Sequence, residues 1–194
     1  MTLGRRLLVL ALCAVSLGGC TLVSTSSSPT IINSNDVPLG LLDPTLPFTD
    51  FAQVHFVTRP IYLLDRNHRV IPVNRLVTSP PTLAEVMHYV PLGPTVLEQA
   101  QGVTTQIPST LVVNQANFPS PNGVALIDVS PELRHLAPTA LRLAVAQLLF
   151  TAVAMGASKG IEISINQAPF ALHLASGALV SLITPQDLAY LKKT

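Results

Sequence analysis

The stretch PTALRLAVAQLLFTAVAMGASKGIEISIN, residues 138–166, decides the fold because its apolar period changes halfway along. Pro138 suits a first helical turn, and Leu141, Val145, Leu148, Leu149 and Ala152 then recur at helical spacing. Gly156 and Gly160 end that pattern. Ile161, Ile163 and Ile165 alternate with Glu162, Ser164 and Asn166, the signature of a strand with one face buried. The helix carries Arg142 and falls short of the roughly 20 apolar residues that a membrane span needs. A long helix leading into a half-buried strand predicts an α+β domain.

Elements upstream fit the same plan. Val124–Val129 reads as a strand, preceded by a loop with Pro119, Pro121 and Gly123, and Leu111–Val113 as another. Thr82 and Glu85 have capping-box spacing after Pro80 and Pro81, and Leu83, Val86, Met87 and Val90 then share one helical face up to Gly93-Pro94. Gln53–Val57 alternates like a strand with Val54 and Phe56 on one side. Ile61–Leu64 and Val70–Val73 read as two strands flanking the polar turn Asp65-Arg66-Asn67-His68. Downstream, Val180–Ile183 reads as a last short strand and Asp187–Lys192 as a closing helical turn. Each helix has one apolar face, so the simplest packing is a two-layer sandwich, with a mixed sheet and both main helices on one side.

The N-terminus describes a different kind of segment. Arg5 and Arg6 precede a short apolar run, Leu7–Val15, and small residues lead to Leu17-Gly18-Gly19-Cys20. That order is the layout of a secretory signal, and its end resembles the bacterial lipobox, in which the chain is cut before a cysteine that receives lipid. The expected organisation is a lipoprotein signal over residues 1–19, a lipidated Cys20 with a Ser/Thr/Pro-rich tether over 20–50, and a globular domain over 51–194. The resemblance implies two or three acyl chains on Cys20. At about 0.8 kcal/mol per buried CH₂, these suffice for stable anchoring where a single chain does not. Cys13 leaves with the signal and Cys20 is consumed by lipid, so the expected mature domain has neither a disulfide nor a thiol nucleophile.

Charged residues make up 11% of the 194-residue chain, against about 25% in ordinary domains. Loss of Arg5 and Arg6 takes the formal charge from +1 to about −1. No basic patch for nucleic acid is visible. Asp128 and Ser130 at a strand end, with His135 nearby, are the residue types of a hydrolytic triad, yet no Gly-x-Ser-x-Gly elbow accompanies them; capping the turn into Pro131 is the simpler role. His55, His68, His88, His135 and His173 show no metal-ligand spacing, His68 reading as a turn residue and His88 as a helix-flank residue. Gly93-Pro94-Thr95 lacks the lysine and glycines of a phosphate loop. Gln147 and Thr151, one helical turn apart on an apolar helix, either meet a partner or satisfy nearby backbone groups. Arg75 could pair with Asp65 across the hairpin.

The segments together resemble the GerMN domain, the sporulation and spore germination domain, most closely its single-domain actinobacterial lipoproteins. The resemblance is carried by Ile61–Asp65 with Val70–Arg75, by Leu92-Gly93-Pro94-Thr95 followed by Gly102 and Ile107-Pro108, by Gly123–Ser130, by Ala146–Thr151 and by Ile183–Asp187. It covers about Val54 to Tyr190. Where the family often has an Asp-Gly turn, this chain has Asn166-Gln167-Ala168-Pro169, so that turn must close differently. The resemblance implies an envelope protein that works by protein contact and supplies no catalytic residue. The expected function is a membrane-anchored, non-enzymatic interaction module at the extracytoplasmic face, without cofactor or metal, whose partners are membrane lipid and an envelope protein. The alternatives are a small-molecule binder and a wall-acting enzyme, the latter requiring a cleft beside Asp128, His135 or Glu162.

Overall fold

A computed structural model describes residues Val54–Lys193; the signal, Cys20 and the tether lie outside the described residues. The strands are β1 (Phe56–Leu64), β2 (Val70–Thr78), β3 (Val113–Asn117), β4 (Val124–Val129), β5 (Gly160–Ile165), β6 (Ala168–Phe170), β7 (Leu172–His173), β8 (Leu179–Val180) and β9 (Leu182–Ile183). The helices are α1 (Leu83–Leu92), α2 (Val96–Ala100) and α3 (Pro138–Ala154), with 3₁₀ turns at Pro131–His135 and Ala189–Leu191.

β1 and β2 form an antiparallel ribbon in register from Phe56↔Thr78 to Leu64↔Val70. The two short strands expected over 53–57 and 61–64 give way to one that runs through Pro60. Even-numbered residues of the ribbon point their backbone groups away from the partner strand. Leu64 N–H donates to the Thr104 carbonyl at 2.9 Å, Tyr62 N–H to Thr151 Oγ1 at 2.9 Å, and Val70's carbonyl accepts from Lys193 N–H at 3.1 Å. Pro60 and Pro72 belong to that outward series, so their missing N–H groups cost no ladder bond and blunt both edges.

The second sheet runs β3-β4-β5-β6, with β9 also pairing with β5. β3–β4 and β5–β6 are antiparallel, while β4–β5 is parallel because the α3 crossover joins them. Ala125, Ile127 and Val129 stand level with Ile161, Ile163 and Ile165 and are buried with them, whereas Leu126 and Glu162 face out. Helices α1 and α3 pack on the buried face, giving the expected α+β sandwich on a mixed sheet. The edge strand β3 begins at Val113, where the sequence had suggested Leu111–Val113. Its polar run Asn114-Gln115 is held by pairing with β4 and not by its own patterning, and a register shift falls between Val113 and Gln115. Val180–Ile183 is divided: β8 pairs with β7, the chain crosses at Ser181, and β9 joins β5.

In α1, Leu83, Val86, Met87 and Val90 are buried as their spacing predicts, and Gly93 closes the helix with φ 68° and an N–H to the Val90 carbonyl. The single apolar face expected of α3 is instead continuous burial from Leu143 to Ala152. That helix meets the mixed sheet through β5, the ribbon through β1, and α1, so it has no wet side along its middle. Ala144, Ala146 and Ala152 leave room for these approaches. No helix among the described residues is long and apolar enough to cross a membrane.

Candidate functional site

Asp128, the penultimate residue of β4, lies on the outer side of the sheet, yet it is buried. Its Oδ1 accepts from Ser164 Oγ at 2.6 Å and from Gln167 N–H at 2.7 Å, and Oδ2 accepts from Asn114 Nδ2 at 2.9 Å. Burial pushes its carboxyl up, but these bonds outweigh that and hold it below the ordinary carboxylate range. Ser130 turns elsewhere: its Oγ accepts from Val112 N–H at 2.8 Å. His135 is exposed at the end of a 3₁₀ turn. Asp128 and Ser130 are therefore close in sequence and separately engaged, His135 bonds to neither of them, and the role of Asp128 is to fix a turn.

That turn is the one at which the chain departs from the family pattern. Asn166 and Gln167 have φ of 50° and 65°, and Ile165 pairs with Ala168 across them. Two consecutive left-handed residues make the hairpin turn that most often carries Asn-Gly. Gln167 bears the strain of a Cβ there, and the bond from its N–H to Asp128 opposes that strain, as does the bond from Asn166 N–H to the Val129 carbonyl at 3.0 Å.

Gln147 and Thr151 satisfy internal groups. Gln147 Oε1 accepts from Thr105 Oγ1 at 2.9 Å and its Nε2 donates to the Leu143 carbonyl at 3.3 Å. Thr151 Oγ1 donates to the Gln147 carbonyl at 2.7 Å and accepts from Tyr62 N–H, stitching β1 to α3. Both side chains are wholly buried, so neither offers a contact to a partner.

The expected Arg75–Asp65 pair does not form. Asp65 Oδ1 instead accepts from Asn67 and Arg69 N–H groups at 2.8 and 2.9 Å, closing the β1–β2 turn with His68 at φ 56°. Arg75 sits within β2 and forks onto Glu98, with Nη1–Oε1 at 2.7 Å and Nη2–Oε2 at 2.8 Å, while Nη2 also donates to the Gly93 carbonyl at 3.1 Å. The Arg75 guanidinium holds the Glu98 carboxyl at about 2, against the penalty of burial. Sequence reasoning missed α2. Its signal was present in Thr95 and Glu98, which form a complete capping box: Glu98 N–H donates to Thr95 Oγ1 at 3.3 Å, and Thr95 N–H to Glu98 Oε2 at 2.8 Å.

Fixed in this way, α2 presents apolar side chains to solvent. Val96 is 83% exposed, Leu97 70% and Leu92, just before the Gly93 bend, 67%. Phe56 and Leu76 are exposed on the outer face of the ribbon. All five histidines are exposed, and among the described residues no three acidic, His or Cys side chains are grouped to hold a metal. Beside Glu162 a groove of about 300 Å³ lies on the outer sheet face, lined by Leu126, Ser164, Phe170 and Ser181.

Residues 60–170, from the middle of β1 to the end of β6, match the family model Germane, described as "Sporulation and spore germination". The resemblance at Ile183–Asp187 lies beyond that span. Among solved structures, the tandem GerMN domains of the sporulation protein GerM from Bacillus subtilis share the fold, with a TM-score of 0.54 and 20% identity over 68% of this chain and 47% of that one. This chain thus spans about half the length of that tandem structure. The first GerMN domain of the same protein aligns with a TM-score of 0.48 and 17% identity, over 67% of this chain and 98% of that one. No curated protein matches. With more than half of its residues matched by one model, and with the fold of a GerMN domain, the chain belongs to the Germane family of sporulation and spore germination domains.

Proposed function

We propose that this protein is a non-enzymatic interaction module, held at the extracytoplasmic face of a membrane by lipid on Cys20, which binds an envelope protein in sporulation, envelope upkeep or sensor regulation. The observation that carries the reading is the division of labour on the domain. The buried polar groups of Asp128, Gln147 and Thr151 and the half-buried Glu98 bond within the fold, while Val96 and Leu97 on the braced helix α2, and Leu92 at the end of α1, are held out to solvent. Adjacent exposed aliphatic residues of this kind mark association surfaces on soluble domains. The anchor is supported by the order of charged, apolar and small residues before Cys20, and the process by the family description.

Two measurements on the full chain test this. Labelling cells with radioactive palmitate is expected to mark the wild type and not Cys20→Ser; an unlabelled wild type removes the anchor. Crosslinking in intact envelopes is expected to capture a partner that Leu97→Asp loses. Capture unchanged by Leu97→Asp removes this surface from the reading, and turnover of a wall polymer abolished by one polar substitution replaces the reading with an enzyme.

A further inference from the structure

A cleft of about 610 Å³ opens between the β1–β2 turn, the first turns of α3 and the C-terminal 3₁₀ turn, within the size range of ligand-binding clefts. Arg69 and His68 come from the β turn, Thr139 and Arg142 from α3, and Leu143 and Leu191 supply apolar surface; among the described residues no carboxylate lines it. The Arg69 guanidinium donates to the Tyr190 carbonyl, and Arg142 Nη2 donates to Thr139 Oγ1 at 3.3 Å. Among the described residues the ion pairs are Arg75–Glu98 and Lys193–Asp65, so neither cleft arginine forms an ion pair there. The nearest acid along the chain, Asp65, bonds to the backbone of its own turn and pairs with Lys193; it also lies in the field of Arg69, which leaves Arg142 the less compensated of the two. α3 begins at Pro138 and is preceded at its N-cap by Ala137, whose methyl cannot cap it, so the positive end of a 17-residue helix adds to the same field.

Two guanidinium groups that form no ion pair among the described residues, over an apolar floor, are complementary to an anion carried on an apolar body. We propose that this cleft binds an acidic, leucine-bearing segment of a protein partner, its carboxylate against Arg142 and Arg69 and its apolar side chain on Leu143 and Leu191. The proposal rests on the interaction reading above and names the chemistry of the partner. A membrane surface fits less well, because a flat plane of head groups does not enter a concave cleft.

The test uses the full chain in detergent micelles and a fluorescent peptide of alternating leucine and glutamate. Saturable binding that weakens with added salt is expected. Arg142→Gln should bind about tenfold more weakly, as expected for loss of a charged hydrogen bond, with Arg142→Lys retaining more of the affinity and Lys159→Gln, away from the cleft, unchanged. Equal thermal melting of these variants separates lost binding from lost folding. Equal affinity of wild type and Arg142→Gln overturns the proposal. So does preference for a leucine-lysine peptide, and so does Arg142-dependent binding to phosphatidylglycerol vesicles without peptide binding. Crosslinking in envelopes separates the two levels. A partner captured equally by Arg142→Gln removes the cleft and leaves the interaction reading standing, whereas a wild type that captures none removes the interaction reading itself.

Discussion

Two Thr-x-x-Glu sequences start the two neighbouring helices, and they behave differently. At Thr95-Val96-Leu97-Glu98 both halves of the capping box close, and Glu98 also receives Arg75. At Thr82-Leu83-Ala84-Glu85 only the threonine caps, with Glu85 N–H donating to Thr82 Oγ1 at 3.1 Å. The Glu85 carboxylate turns chiefly to β2 and accepts from the N–H and hydroxyl of Thr78, each at 2.7 Å, which ties the end of β2 to α1 and holds the Glu85 carboxyl below its ordinary range, with a smaller contribution from the Thr82 backbone. α1 buries its apolar face, whereas the equivalent apolar residues of α2 stay in water. The difference teaches that the ten-residue helix, whose stability comes from packing, can lend its glutamate to a strand. The five-residue helix has no packing to rely on and needs its cap and its ion pair.

The contrast can be broken most severely at Arg75. Arg75→Ala leaves Glu98, whose side chain is 19% exposed, without its partner, and is expected to cost about 2 kcal/mol in urea unfolding, less than orphaning a fully buried charge. The same ion pair sets a pH dependence. Glu98 titrates near 2 when folded, against an ordinary 4.5, so its contribution is fully present above about pH 4.5 and fades as pH falls toward 2. Melting temperature followed across that window should fall less steeply in Arg75→Ala than in the wild type; parallel curves would show that Glu98 is not the group responsible.

The comparison is sharpened next by the caps. Thr95→Ala and Thr82→Ala should each cost about 1 kcal/mol. The pairs should then differ: Thr95→Ala with Glu98→Gln is expected to be non-additive, and Thr82→Ala with Glu85→Gln additive, because only the first two side chains act on one helix end. A coupled first helix start would undo the distinction. The smallest stability effect belongs to Leu97→Ser, at under about 0.5 kcal/mol for so exposed a residue. Its larger effect should be lost partner capture, and a marked fall in melting temperature would mean that Leu97 packs in the core.

Much of the domain was legible from periodicity. The bounds of β4 and the face of α1 follow directly from spacing, and the start of α3 from Pro138. Burial on every side of α3 was not legible, since its five-residue apolar set gave no hint that the ribbon would cover the opposite flank. β3 was displaced because an edge strand with one wet face tolerates Asn114 and Gln115. Of the candidate sites, Asp128 and Ser130 went into separate structural bonds while His135 stayed exposed, and the cleft beside Arg142 went unnoticed because it joins segments far apart in the chain.

What the sequence by itself determined were the alternations, the helix stops at glycine and the use of Thr and Glu at helix starts, all properties of residues within one or two turns of each other. The proposal that Cys20 takes lipid rests on the same kind of local reading. Only the tertiary structure decided which partner each charged group takes. Arg75 finds Glu98 and not Asp65, Glu85 finds Thr78, and Asp128 finds the Asn166-Gln167 turn, because a side chain bonds to whatever the packed backbone brings within about 3 Å. Sequence distance does not encode that proximity; the crossing of β1, β2 and α3 does.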